Sequence, residues 1–338
     1  MKVHTHELAG GFLRNRLFAF LLLALLVAAA LSVFFGRYPR PGWLSPDRLQ
    51  ADPLAAQLLW NLRLPRVTAA ILTGAALSAS GLTLQMLFRN PLVEPGFLGV
   101  SQGAAFGSAF AILYLGRSAL TVQASAAAFA LLGLWLTYFL AGRLRYGGWI
   151  LRMVLAGIAV SALFSAGVGI LKYLADPLTQ LPEITFWLLG GLWSTRWPNV
   201  LPILPLTALS LTVLFLARWR LNVLALEEET AFSLGAAPGR ERLALLLAAV
   251  GATAAVVSLA GTVGWVGLII PHLARRLVGA DARWALPTSL LLGGLFVLLC
   301  DNLARTVSAG EVPLGILTSL SGAAAFLVIL TRFRVKSA

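Results

Sequence analysis

The chain has 338 residues, 59% hydrophobic and only 12% charged, against about 25% charged in a soluble domain. Apolar runs recur from end to end, which excludes a soluble globular fold and makes this an all-α polytopic membrane protein. A net charge of +13 does not point to nucleic acid, because the basic residues sit at the ends of apolar runs rather than in one patch.

Lys2, Arg14 and Arg16 precede the run Leu17–Phe35, which exceeds the ~7–15 apolar residues of a signal peptide and reads as a first, uncleaved span. Gly36–Arg66 follows as an external polar loop with Trp43 and Trp60. Uncharged runs then predict spans at Val67–Phe88, Phe97–Gly116, Ser118–Gly142 and Met153–Leu171. Within Ala175–Asn199, the stretch Ile184–Trp193 is too short to cross. It reads as an interfacial or re-entrant helix, with Phe186, Trp187, Trp193 and Trp197 at headgroup level.

The span Val200–Ala217 leads into the polar stretch 218–242, where two short amphipathic pieces are joined by Gly235-Ala236-Ala237-Pro238-Gly239. The uncharged run Leu243–Pro271 would form a helix of about 43 Å, longer than a hydrocarbon core of about 30 Å. A break at Gly261-Thr262-Val263-Gly264 therefore predicts a full span and a short helix returning through Pro271 and His272. Trp284–Cys300 and Val312–Leu330 complete the set.

With that break there are about ten spans, both termini are cytoplasmic, and most of the 26 Lys/Arg fall inside. Without it, the majority would fall outside, against the positive-inside trend. The whole chain, 1–338, reads as one transmembrane permease domain, with 218–242 as a cytoplasmic elbow. Glu94-Pro95-Gly96 and Glu311-Val312-Pro313 open helices from opposite sides, a hint of inverted repeats.

Cys300 is the single cysteine; it excludes an intrachain disulfide and reads as packing. No His/Cys/carboxylate cluster has metal-ligand spacing, no catalytic grouping occurs, and no Gly-x4-Gly-Lys-Ser/Thr loop could hold ATP. Catalytic, metal and cofactor sites are thus expected to be absent from this chain. The spans show no clear buried acid or histidine of the kind an ion-coupled secondary transporter uses. Small residues are dense at Gly74–Gly81 and Gly157–Gly169. They serve close helix packing, or in part a path or a dimer seam.

Four segments resemble the FecCD/BtuC-type permeases of binding-protein-dependent ABC importers. They are Leu62–Arg66; Asn90-Pro91-Leu92-Val93-Glu94-Pro95 with Leu98–Ser101; Leu221–Pro238; and Gly264–His272. The resemblance implies a BtuC-like fold in the bacterial cytoplasmic (inner) membrane. Its implied partners are a second copy of the chain, two ABC ATPase subunits that bind the ATP, and a periplasmic or lipid-anchored binding protein. The implied cargo is a ferric siderophore, haem or cobalamin. Arg63, Arg66 and Arg305 correspond to the arginines that meet binding-protein glutamates. Leu221, Asn222, Ala225, Leu226, Glu228, Leu234, Gly235 and Pro238 fall in the segment that couples to the ATPase. Asn90, Pro91, Pro95, Gly267, Pro271 and His272 belong to structural motifs. Two departures from the family pattern are the acidic Glu227-Glu228-Glu229 and Asp281-Ala282-Arg283 in place of Asp-His-Arg.

Overall fold

The computed structural model describes residues 2–36, 42–44, 52–307 and 310–332. Stretches 37–41 and 45–51 of the expected external loop, and the basic tail 333–338, lie outside the described residues. The helices are α1 (Lys2–Phe34), α2 (Leu64–Leu87), α3 (Val100–Phe110), α4 (Ala119–Arg143), α5 (Trp149–Leu174), α6 (Gln180–Leu189), α7 (Leu204–Leu216), α8 (Arg218–Leu224), α9 (Glu228–Ser233), α10 (Pro238–Ala260), α11 (Val266–Val278), α12 (Ala282–Val307) and α13 (Leu314–Arg332), with short turns between some of them. Among the described residues, 7 helical stretches are long and apolar enough to cross a membrane. Val100–Leu115 and Leu314–Ile329 are shorter apolar helices.

Several boundaries differ from expectation. The first helix begins at Lys2 rather than Leu17. The short helix expected at Ile184–Trp193 is Gln180–Leu189, ended by Gly190 at φ 69°. The run Leu243–Pro271 does break, between Ala260 and Val266. Pro271 lies inside α11, as expected of a helix that runs through it.

A proline within a helix deprives the carbonyl four residues earlier of its donor. Here that carbonyl is Gly267, and Gln85 of α2 reaches across with Nε2 to the Gly267 and Leu268 oxygens at 3.3 and 3.2 Å. Arg275 Nη2 donates to the Gln85 Oε1 at 2.5 Å, and His272 Nδ1 donates to the Leu268 carbonyl at 2.8 Å. A neighbouring helix thus supplies the bonds the proline removed, and the short helix continues.

The helix α2 is the central pillar: 78% of its apolar window is buried, against 17% for α1. Lipid tails are as apolar as leucine, so helices associate in a membrane through close contact and hydrogen bonds. Glycines permit that contact here. A Cβ on Gly74 would stand 1.9 Å from the Gly293 oxygen of α12, and one on Gly81 1.9 Å from the Gly267 oxygen of α11. Ser78 Oγ donates to Ser289 O at 2.8 Å, and Ser80 Oγ to Ala249 O of α10 at 2.8 Å. The small residues of this span therefore serve packing.

Those of α5 divide. Gly157 is packed against the Phe97 carbonyl, 3.1 Å from where its Cβ would be, whereas Gly169 meets nothing within 4 Å and borders a cavity.

Gly81→Ala is expected to cost about 1–3 kcal/mol, the range for overpacking a tight contact. Gly264→Ala, whose Cβ would meet nothing within 4 Å, is expected to be neutral. Thermal unfolding of the two variants in detergent checks the difference.

Candidate functional site

Three features stand out: a polar elbow at one end of the bundle, an arginine cluster, and a cavity beside the α10–α11 break. The elbow is α8 and α9. Leu221, Leu224 and Ala231 are fully buried and anchor it. Asn222 Nδ2 donates to Asp281 Oδ1 at 2.7 Å, while its Oδ1 accepts the Ala282 amide at 2.9 Å. Arg283 bonds Asp281 at 2.5 Å and lies 4.9 Å from the Trp219 ring centroid. That bond is the main reason the Asp281 carboxyl is lowered to about 2, so the tie stays ionised at neutral pH. Where the family pattern carries histidine, Ala282 is fully buried.

Glu228 of the acidic triplet pairs with the buried Arg242 at 3.2 Å; Glu227 and Glu229 face outward. Arg89 donates to the Leu226 carbonyl. Gly235, at φ 77°, ends α9 in a left-handed turn where the Ala236 amide bonds Ala231 O at 3.1 Å. Ala225 is half-buried, and Pro238 is buried at the start of α10. The outer side presents Leu226, Leu234 and Phe232, the last 73% exposed. The sequence reading missed Phe232; its position beside the inward Ala231 in so short a helix was the available signal.

The motif residues hold the entry to α3. Asn90 Oδ1 accepts the Leu92 amide at 2.9 Å, closing a turn that leaves Pro91 exposed. Pro95 packs on Gly267, its Cδ 2.3 Å from where a Cβ would be.

The structure brings Arg63, Arg66 and Arg305 together around a cleft of about 210 Å³, with Glu311 on the same wall. They are not solvated surface cations. Arg63 is 8% exposed and donates to Val33 O and Phe34 O at 3.2 and 3.1 Å. Arg66 grips Asp301 with Nε and Nη2 at 3.0 and 2.9 Å, and Glu311 with Nη1 at 3.0 Å. Arg305 is 6% exposed, donates to Ser32 O at 2.6 Å and lies 3.9 Å from Asp301. The sequence places Asp301 at a span end; in the structure it is fully buried and neutralised by two arginines.

The cavity, about 840 Å³, lies between the start of α3, one face of α5, the break before α11 and the start of α13. Its wall is mainly small or apolar, with Glu94 and Lys172 as its charged residues. The Trp265 amide lies beside the Glu94 carboxylate. Trp265 itself holds φ 70°, and its ring meets Phe326 edge to face at 6.1 Å. Glu94 was read only as a helix-start residue; the fold brings it to a cavity wall.

Residues 21–332 match the FecCD transport family. The molybdate import system permease protein MolB of Haemophilus influenzae is 38% identical over 321 residues, covering 93% of this chain and 95% of that protein. The hemin transport system permease protein HmuU of Yersinia pestis is 40% identical over 285 residues, covering 82% and 84%. A solved inward-facing conformation of a metal-chelate type ABC transporter superposes with a TM-score of 0.87 at 37% identity, covering 94% of this chain and all of that one.

Removing one partner of a buried ion pair strands the other charge, at a cost of about 3–5 kcal/mol. Asp301→Asn is expected to lose stability in that range. Glu311→Gln is expected to lose less, because Glu311 is 29% exposed and Arg66 keeps Asp301. Unfolding temperatures of the two variants in detergent decide the order.

Proposed function

The chain belongs to the FecCD transport family, the permease subunits of ABC importers, and from that premise we propose that it carries an iron chelate, a ferric siderophore, across the bacterial cytoplasmic (inner) membrane. It works as a homodimer with two ATPase subunits and a periplasmic or lipid-anchored binding protein. About ten segments cross, in two inverted halves, with both termini and the elbow in the cytoplasm and the arginine cluster outside.

The observation that carries this reading is the elbow. It is anchored by buried leucines and the Asn222–Asp281 tie, yet turns Leu226, Phe232 and Leu234 outward. Apolar knobs on a rigid polar support suit a protein cleft better than water. A rigid elbow also passes movement of its partner into α7 and α10, the helices on either side. Energy is supplied by the separate ATPase subunits, and the chain itself makes and breaks no covalent bond.

The cavity supports a bulky cargo. Its volume of about 840 Å³ falls among drug-sized ligand sites of ~300–1,000 Å³, far more than a bare ion needs. A small, apolar wall lets such a solute pass without holding it. Haem and cobalamin are the next cargoes to test.

In proteoliposomes holding the complete importer, Phe232→Ala with Leu234→Ala is expected to cut ATP-driven ferric siderophore uptake at least about tenfold, as losing an interface anchor of ~1.4 kcal/mol or more would. Uptake in step with ATP hydrolysis, as in the unmodified chain, would remove the elbow from coupling.

At the outer face, a binding-protein carboxylate would have to take the place of Glu311 on Arg66. Glu311→Gln frees that donor and is expected to tighten docking about three- to tenfold. Arg63, Arg66 and Arg305 each changed to Glu should abolish it. Docking Kd values unaffected by either change would take the cluster out of the interface.

A further inference from the structure

We infer that Lys172 is a charge-selecting residue of the cavity and that the cargo passing it carries net negative charge, as an oxyanion or an anionic ferric chelate. The inference rests on the reading above that this cavity lies on the cargo path.

Lys172 is the one charged residue of α5 beyond Arg152 near its start. Lysines at span ends commonly extend to the headgroups, but here the helical register gives another direction. Ser165, Val168, Gly169 and Lys172 follow one another at intervals that share a helix face, and all four border the cavity. The adjacent Tyr173 and Leu174, 88% and 58% exposed, occupy the outward side.

Lys172 is half-buried and makes no ion pair or hydrogen bond among the described residues. The other charged group on the wall, Glu94, lies beside the Trp265 amide at the start of α11. A helix N-terminus is the favourable place for a carboxylate, so Glu94 is engaged by the fold. The ammonium has no ion-pair partner among the described residues, and its neighbours along the cavity face of α5 are Ser165, Val168 and Gly169. In a cleft with low-dielectric walls, an unpaired charge raises the concentration of solutes of the opposite sign close to it. A lysine is also a point charge on a flexible stem, suited to drawing in an anion without gripping one geometry.

Two arms test this on the complete importer. Cys300 is buried and is replaced by Ala. Cysteines are then placed singly at Ser165 or Ser319, both on the cavity wall; the second site serves if the first variant fails to fold. Each is titrated with an anionic (sulfonatoethyl) and a cationic (trimethylammonioethyl) methanethiosulfonate. Lys172→Gln is expected to lower the anionic-to-cationic rate ratio about three- to tenfold, as loss of one nearby charge should, and Lys172→Arg to preserve it. An equal ratio in all three proteins overturns the inference while leaving the importer reading intact. No labelling at either site by either reagent would show the cavity closed to water, and would overturn the path reading together with the inference.

The second arm measures ATP-driven uptake of molybdate, of ferric tris-catecholate and of neutral cobalamin. Uptake of one anionic probe, reduced by Lys172→Gln and restored by Lys172→Arg, supports the inference and says which anion it is. Uptake of cobalamin alone, or of an anion indifferent to Lys172→Gln, overturns it. If no probe is carried with ATP, the importer reading fails, and the labelling ratio still decides the charge of the cavity.

Discussion

The close approach of α2 to its neighbours is the constraint on which the rest depends. Gly74 lies against Gly293, and Gly81 against Gly267, at separations no side chain could enter. In lipid there is no hydrophobic drive to gather helices, so this backbone contact has to do the gathering. Two serine hydroxyls aimed at carbonyls of α12 and α10 fix the rotation of the pillar. Gln85 then finds the carbonyls that Pro271 leaves open. Without that reach, α11 could not end its climb beside α2 and still contain a proline.

The short α11 has two consequences at opposite ends. At one end, the gap before it holds Trp265 in a left-handed conformation, and Trp265 and Glu94 both line the cavity. At the other, the loop after it carries Asp281, the acceptor for Asn222 of the elbow. A displacement of the elbow therefore reaches the start of α12 directly, and α12 is the helix most closely joined to the pillar through Gly293 and Ser289. The other end of α12 holds Asp301, the anchor of Arg66 and Arg305. One helix thus connects the polar elbow to the arginine cluster.

Much of this was legible in the chain itself. Runs without charge located the 7 long apolar helices and the shorter Val100–Leu115 and Leu314–Ile329, and a run too long for the bilayer located the break before α11, because both follow from hydrocarbon thickness. The elbow was visible as a polar interruption between two apolar runs. Partnerships between distant positions were not legible. Arg66 was readable as a cation near a span end, but not its grip on residues more than two hundred positions later. Asp301 read as a terminal carboxylate because burial is a property of neighbours, and local hydropathy does not register a counterion on another helix. Glu94 read as a helix start for the same reason. Pro271 was legible as part of the short helix, but not the outside donor, Gln85, that serves the carbonyl it leaves open. The small residues of α2 and α5 look alike in sequence, and only the packing separates a sealed contact at Gly81 from the open face at Gly169.

The division between those two small-residue faces bears on how a permease can be both stable and passable. A wall that opens for cargo cannot also supply the contacts that hold the helices together. Here the two tasks fall to different positions, even within one helix: Gly157 of α5 is packed and Gly169 is open. Tight glycine and serine contacts join α2 to α10, α11 and α12, and α3 to α4, while α5 contributes Ser165, Gly169 and Lys172 to the cavity. The break before α11 is the place where the two meet: Gly267 seals against Gly81 on one side and borders the cavity on the other. A shift of the segment Gly261–Trp265 can therefore reshape the cavity wall while the pillar stays closed. Gly190 and Gly261, both at positive φ, bring that segment against the end of α6, and the Leu314 amide at the start of α13 bonds Gly190 O at 2.9 Å. The break is thereby tied to α6 and α13, two helices that border the cavity.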